Sequence, residues 1–121
     1  MMRVISIYTR EPWGSQPPDP KMIANMQSLI QEMMAAGILI DTGGIAPTGV
    51  SLRVRSGGSG PLSVTDGPFT ESKEIVGGYA LLNVRDRDHL LQVIQRFLDC
   101  AGGGTCTVHE LEEMPGTNTR K

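Results

Sequence analysis

The chain has 121 residues and a formal net charge of −2, enough for one domain with a modest core and without the basic excess that would hold nucleic acid. Its 39% apolar and 20% charged composition is that of a soluble globular protein. Pro, Gly or a charge interrupts every apolar run before it reaches membrane-spanning length, and the two cysteines are too few for a disulfide framework.

In chain order, Arg3–Thr9 alternates Val4, Ser6 and Tyr8 against Ile5 and Ile7 and predicts a first strand; with no long apolar stretch in Met1–Arg10, a secretory signal is not expected. A reducing cytoplasm is the expected compartment. Arg10–Pro20 reads as loop with four prolines, and Trp13 within it is expected as a buried anchor rather than as part of a pocket mouth. Asp19–Pro20 then predicts a helix start, with Asp19 as N-cap and Pro20 in the first position. Met22, Ile23, Met26, Leu29, Ile30, Met33 and Met34 form one wide apolar stripe, and Gly37 is placed to end the helix. The methionines fit flexible core filling better than a promiscuous binding groove.

Ile38–Ile40 predicts a short apolar strand running into a turn at Thr42–Gly44. Val50–Arg55 and Leu62–Thr65, either side of the flexible Ser56–Gly60, predict a hairpin. The glycines here lack the Lys–Ser/Thr pair of a phosphate-binding loop. Asp66–Gly67–Pro68 carries turn chemistry, followed by a charged run with Phe69 set in it. Ile75–Val84 predicts a central strand. At period two, one side reads Ile75, Gly77, Tyr79, Leu81, Asn83 and the other Val76, Gly78, Ala80, Leu82, Val84, so both sides need cover. Asp86 caps a second helix through Cys100, Gly102–Gly104 end it, and Thr105–Leu111 predicts a last strand. Residues 1–114 are expected as the single domain, with 115–121 a flexible tail.

This order, β-α-β, a hairpin, a central strand and α-β, predicts an α+β, ferredoxin-like sheet with two helices on one face. Two helices cover only one side of a sheet. The other apolar side therefore predicts a homodimer, a second copy packing sheet against sheet.

Asp66–Gly67–Pro68–Phe69, followed by Thr70–Glu71–Ser72–Lys73–Glu74 and then Gly77–Gly78–Tyr79, resembles the signature of YCII-related proteins of the DGPF type. The resemblance spans nearly the whole chain up to Met114. It implies a ferredoxin-like unit that dimerises into an α/β barrel. It also implies either an enzyme of small-molecule breakdown or a protein associated with extracytoplasmic-function sigma factors of bacteria. In the wider group some members use a His–Asp pair in a pocket between sheet and helix. Here no histidine precedes Asp66, and the only two are His89 and His109.

Asp66 is the candidate catalytic residue: desolvated by the sheet and Phe69, it could act as a general acid or base, whereas as a turn aspartate it would accept backbone N–H bonds. Glu71 and Lys73, roughly 6.6 Å apart if extended, are candidate substrate-binding residues, or else part of a solvated or interchain salt bridge at the barrel rim. Tyr8 and Arg10, ending the first strand, could add a phenol and a guanidinium. Cys106 and His109 lack a second ligand pair, so no metal is expected, and the chemistry is expected to be cofactor-free. No serine-hydrolase elbow, zinc-protease run or dinucleotide fingerprint occurs. The two functional expectations are a cofactor-free lyase, isomerase or dehalogenase-like enzyme and a non-catalytic metabolite-binding or regulatory module.

Overall fold

The computed structural model of the protein describes residues 1–10, 19–45, 50–67 and 75–112. Eight elements follow one another: β1 (Met2–Arg10), α1 (Pro20–Ala35), β2 (Leu39–Gly44), β3 (Leu52–Arg55), β4 (Ser63–Asp66), β5 (Ile75–Val84), α2 (Arg87–Ala101) and β6 (Thr105–Glu110). The main sheet has the order β2-β5-β1-β6, all its neighbours antiparallel, and both helices pack on one of its sides. This is the ferredoxin-like α+β layer expected from the element order. Trp13, Pro68, Phe69, Glu71, Lys73 and the segment 115–121 lie outside the described residues.

Local chemistry sets the helix ends. Asp19 Oδ1 accepts from the Lys21 N–H at 2.9 Å and Pro20 opens α1. At the other end Gly37 takes a φ of 76°, and the Ile38 and Gly37 N–H groups donate to the Met33 and Met34 carbonyls at 2.9 and 3.1 Å, a Schellman closure. Asp86 Oδ1 accepts from the His89 N–H at 2.8 Å to cap α2. The His89 ring, only 8% exposed, returns the favour to the preceding turn: its Nδ1 accepts from the Arg85 N–H at 3.1 Å. His89 thus stands at the position that Glu or Gln holds in a capping box, but accepts from the residue before the cap rather than from the cap itself. Gly102, with φ 81°, ends α2.

The core lies between sheet and helices: Val4, Leu82, Val84 and Leu39 from the sheet, Leu29, Met33 and Val93 from the helices. The expected α1 stripe is narrower than its sequence suggests, because Ile23 and Met34 remain exposed while Leu29 and Met33 are buried. Arg96 and Glu32 join the exposed sides of the two helices through a bidentate pair, its longer bond 2.9 Å, which holds the Glu32 carboxyl below its ordinary range.

Two irregularities correct the period-two reading. Between Tyr8↔Gly78 and Thr9↔Val76 the β1–β5 register shifts, leaving Gly77 as the extra residue of a bulge. The extra residue resets the phase, so Val76 pairs with Thr9 on the side of Ile7, Tyr79 and Leu81, not on that of Gly78. A second shift, between Leu39 and Asp41, makes Ile40 the extra residue of β2. Gly43 and Gly44, expected as a turn, are strand residues paired with Tyr79 and Gly78. A methyl at Gly43 would meet the Tyr79 ring at 2.8 Å, which explains a glycine in mid-strand.

The expected hairpin forms, but apart from the main sheet. β3 and β4 pair only with each other, and this ribbon makes no substantial packing contact with the sheet or helices among the described residues. The sheet's outer side, away from the helices, carries Ile5, Ile7, Tyr79 and Leu81, each half-buried. Among the described residues no helix is long and apolar enough to cross a membrane.

Candidate functional site

Between the helices and the sheet lies a cleft of about 490 Å³. That volume falls within the range of small-molecule sites, roughly 300–1,000 Å³. Its helix wall is Met22, Met26, Ile30, Met33, Ile94 and Phe97, and its sheet floor includes Ser6, Tyr8, Arg10, Thr42 and Gly77–Ala80. Methionines dominate the α1 wall because the inward side of that helix repeats them at Met22, Met26 and Met33. Met33 fills core as expected, while Met22 and Met26 are only half-buried and leave room beside them.

Tyr8 is the most constrained side chain of the floor. Its ring meets Phe97 edge-on, centroids 5.0 Å apart and planes at 87°, and its hydroxyl donates to the Gly103 carbonyl at 2.7 Å. The ring lies on two glycines, Gly77 of β5 and Gly104 just ahead of β6. An added Cβ at Gly77 would come within 2.8 Å of Tyr8 Cδ2, and one at Gly104 within 2.5 Å of Cε1. Burial pushes the phenol pKa up, with Arg10 pulling it back and Cys106 adding to the rise. The hydroxyl proton is thus committed to a backbone carbonyl, and the ring serves as a wall of the cleft with its oxygen still able to accept.

Beside Tyr8, its β6 partner Cys106 is half-buried, and desolvation raises its thiol pKa against the opposing effect of a hydrogen bond with Ser6. Ser6 is itself buried and lines the cleft. Thr42 Oγ1 donates to the Tyr79 carbonyl at 2.8 Å, tying β2 to β5 under the cleft. On the outer side of the same strands Tyr79 Oη donates to Asp41 Oδ2 at 2.9 Å, and that bond raises the Tyr79 pKa. The cleft is therefore apolar along the helices, with hydroxyls on its floor. Arg10 stands at the end of the sheet where Gly44 and Gly77 also lie.

Of the five candidate site residues, Tyr8 and Arg10 line this cleft. Asp66 does not: it is exposed, ends β4 and pairs with Leu52 across the separate ribbon. Glu71 and Lys73 lie outside the described residues. Sequence reasoning missed Ser6, Thr42, Phe97 and Cys106. The chain shows the small-residue runs Gly77–Gly78 and Gly102–Gly104, but only the fold brings Gly77, Gly103 and Gly104 against Tyr8. Among the described residues no cluster of three or more His, Cys, Asp or Glu could hold a metal ion.

A ferredoxin-like α+β domain with a cleft between its helix layer and its sheet is the class of protein that these features define. The sequence model of the YCII-related domain matches residues 1–110, and the chain belongs to that family. No curated protein matches it.

Proposed function

We propose that the protein binds a small, mainly apolar molecule bearing one polar or anionic group in the helix–sheet cleft, and does so as a homodimer. The observation that carries this reading is the cleft itself, with a methionine-rich wall on one side, hydroxyl groups beneath and Arg10 at one end. Flexible thioether side chains adapt to ligands of varied outline. A guanidinium at the rim suits a carboxylate or enolate. The outer side of the sheet, with Ile5, Ile7 and Leu81, is the surface for the second copy, because no element of the same chain covers it among the described residues.

Binding is favoured over turnover by the position of Asp66, which stands on the ribbon and not among the cleft residues. A cofactor-free lyase or isomerase using Asp66 as proton shuttle would need that carboxyl in the cleft. A regulatory module linked to a sigma factor needs only the cleft: the bound metabolite would be the signal. Titration with decanoate and with decanol, followed by calorimetry, tests the reading. Arg10→Leu should weaken the carboxylate roughly 10- to 100-fold, the value of a hydrogen bond to a charged group, and leave the alcohol unchanged. Equal loss for both probes, or binding of neither to the unaltered protein, contradicts it.

A further inference from the structure

The β3–β4 ribbon is amphipathic across both strands. The pairs Leu52↔Asp66 and Val54↔Val64 share one side, and Arg53↔Thr65 and Arg55↔Ser63 share the other. Leu52, Val54 and Val64 are 50%, 47% and 55% exposed, so about half of their surface is open to solvent, and no described sheet or helix element packs substantially on the ribbon. An isolated two-stranded hairpin is marginal in water, and one with an uncovered apolar side needs a surface to lie on.

We propose that this ribbon is an exchanged arm: in the dimer, each copy lays the Leu52–Val54–Val64 side of its ribbon on the outer sheet side of the other. The arm rests on the dimer proposed above and adds what does the covering. Its occupant is a second copy because one chain carries both halves of the contact. The same protomer has an uncovered apolar ribbon and, on its outer sheet side, Ile5, Ile7 and Leu81 with Val76 43% exposed. Two-fold symmetry pairs each half with its complement and leaves neither over.

Size supports the same choice. With strand spacing of about 4.8 Å and about 3.4 Å per residue, four strands over six residues give a flat outline of roughly 400 Å², and the ribbon adds roughly 130 Å². The sheet's outline is about half of the roughly 800 Å² of accessible surface per partner in a standard interface; the ribbon brings it to roughly 530 Å², about two-thirds. One consequence follows for the signature aspartate. Asp66 shares the ribbon's apolar side with Leu52, so the arm places it against the partner and not at its own cleft.

Two measurements decide this. Sedimentation of the unaltered protein at micromolar concentration should give a dimer, and Leu52→Lys with Val64→Lys should raise its dissociation constant roughly 100-fold or more, as when central apolar anchors are charged, with an unchanged far-ultraviolet spectrum. A photo-reactive phenylalanine analogue at position 54, in an equal mixture of heavy- and light-isotope chains, should give mixed-isotope cross-links to β1 or β5 peptides. The second measurement stands even if the double variant fails to fold. A dimer indifferent to both lysines, or cross-links confined to single chains, overturns the arm and leaves the dimer. A monomeric unaltered protein overturns both.

Discussion

Replacing Gly77 by alanine places a methyl 2.8 Å from Tyr8 Cδ2 and 3.1 Å from Cε2. Carbon atoms in contact prefer about 3.5–4.0 Å, so the ring must retreat by roughly 0.7–1.2 Å. It has little space to do so. Phe97 holds one side of the ring, Gly104 the other, and the hydroxyl is bound to the Gly103 carbonyl at 2.7 Å. Gly77 is not among the glycines with positive φ, so alanine brings no backbone strain and the cost is contact alone. Overpacking contributes about 1–3 kcal/mol, and loosening the Tyr8 hydroxyl about 0.5–1.5 kcal/mol more. Urea unfolding followed by circular dichroism, at one fixed protein concentration because a dimer's stability varies with it, should show a loss of about 2–4 kcal/mol. In a Tyr8→Leu background the same substitution should cost less than about 1 kcal/mol, since its obstacle is gone. An undiminished cost in that background, or no cost in the parent, would refute the packing of Tyr8 between the glycines.

Three further outcomes are expected. His89→Ala removes the acceptor for the Arg85 N–H and part of the buried cap of α2, and should lower stability by about 1–2 kcal/mol in the same unfolding assay. Burial raises the pKa of both Cys106 and Tyr8 above the unfolded values, so their contribution is intact below the unfolded thiol value, about 8.5, and is lost as pH rises through the folded values. Unfolding midpoints should therefore fall from about pH 8.5 upward, with Cys106→Ala flattening the first part of the decline; an identical decline in that variant would assign it elsewhere. Asp66→Asn, at a position exposed in the single chain and outside the cleft lining, should leave decanoate binding in the cleft unchanged.

What was readable beforehand was the chemistry that acts over a few residues. Asp19–Pro20, Gly37, Asp86 and Gly102 mark helix ends in the chain as they do in the fold, because caps and left-handed residues are decided locally. The double-sided apolar pattern of β5 likewise survives, one side in the core and the other half-buried. Phase errors enter where tertiary contacts rule: the bulge leaves Gly77 against the Tyr8 ring, where a side chain would not fit, and nothing between residues 75 and 84 announces the register shift. The helix stripe of Met22, Met26 and Met33 states which way these residues point. It cannot state that a void remains in front of them, since that depends on the small floor residues of β1, β2 and β5. Asp66 stood out from its place in the DGPF signature and from the cover expected of the sheet and Phe69, while its turn chemistry argued the other way; only the strand pairing assigns it to the ribbon.

The cleft is most directly tested by methyl spectra of the protein labelled at its methionines. Met22 and Met26 line the cleft, whereas Met34 is exposed on α1 away from it. On titration with decanoate, the Met22 and Met26 methyl signals should move together and saturably, with Met34 staying in place. Movement confined to Met34, or no saturable movement at either cleft methionine, would contradict a ligand site between helices and sheet.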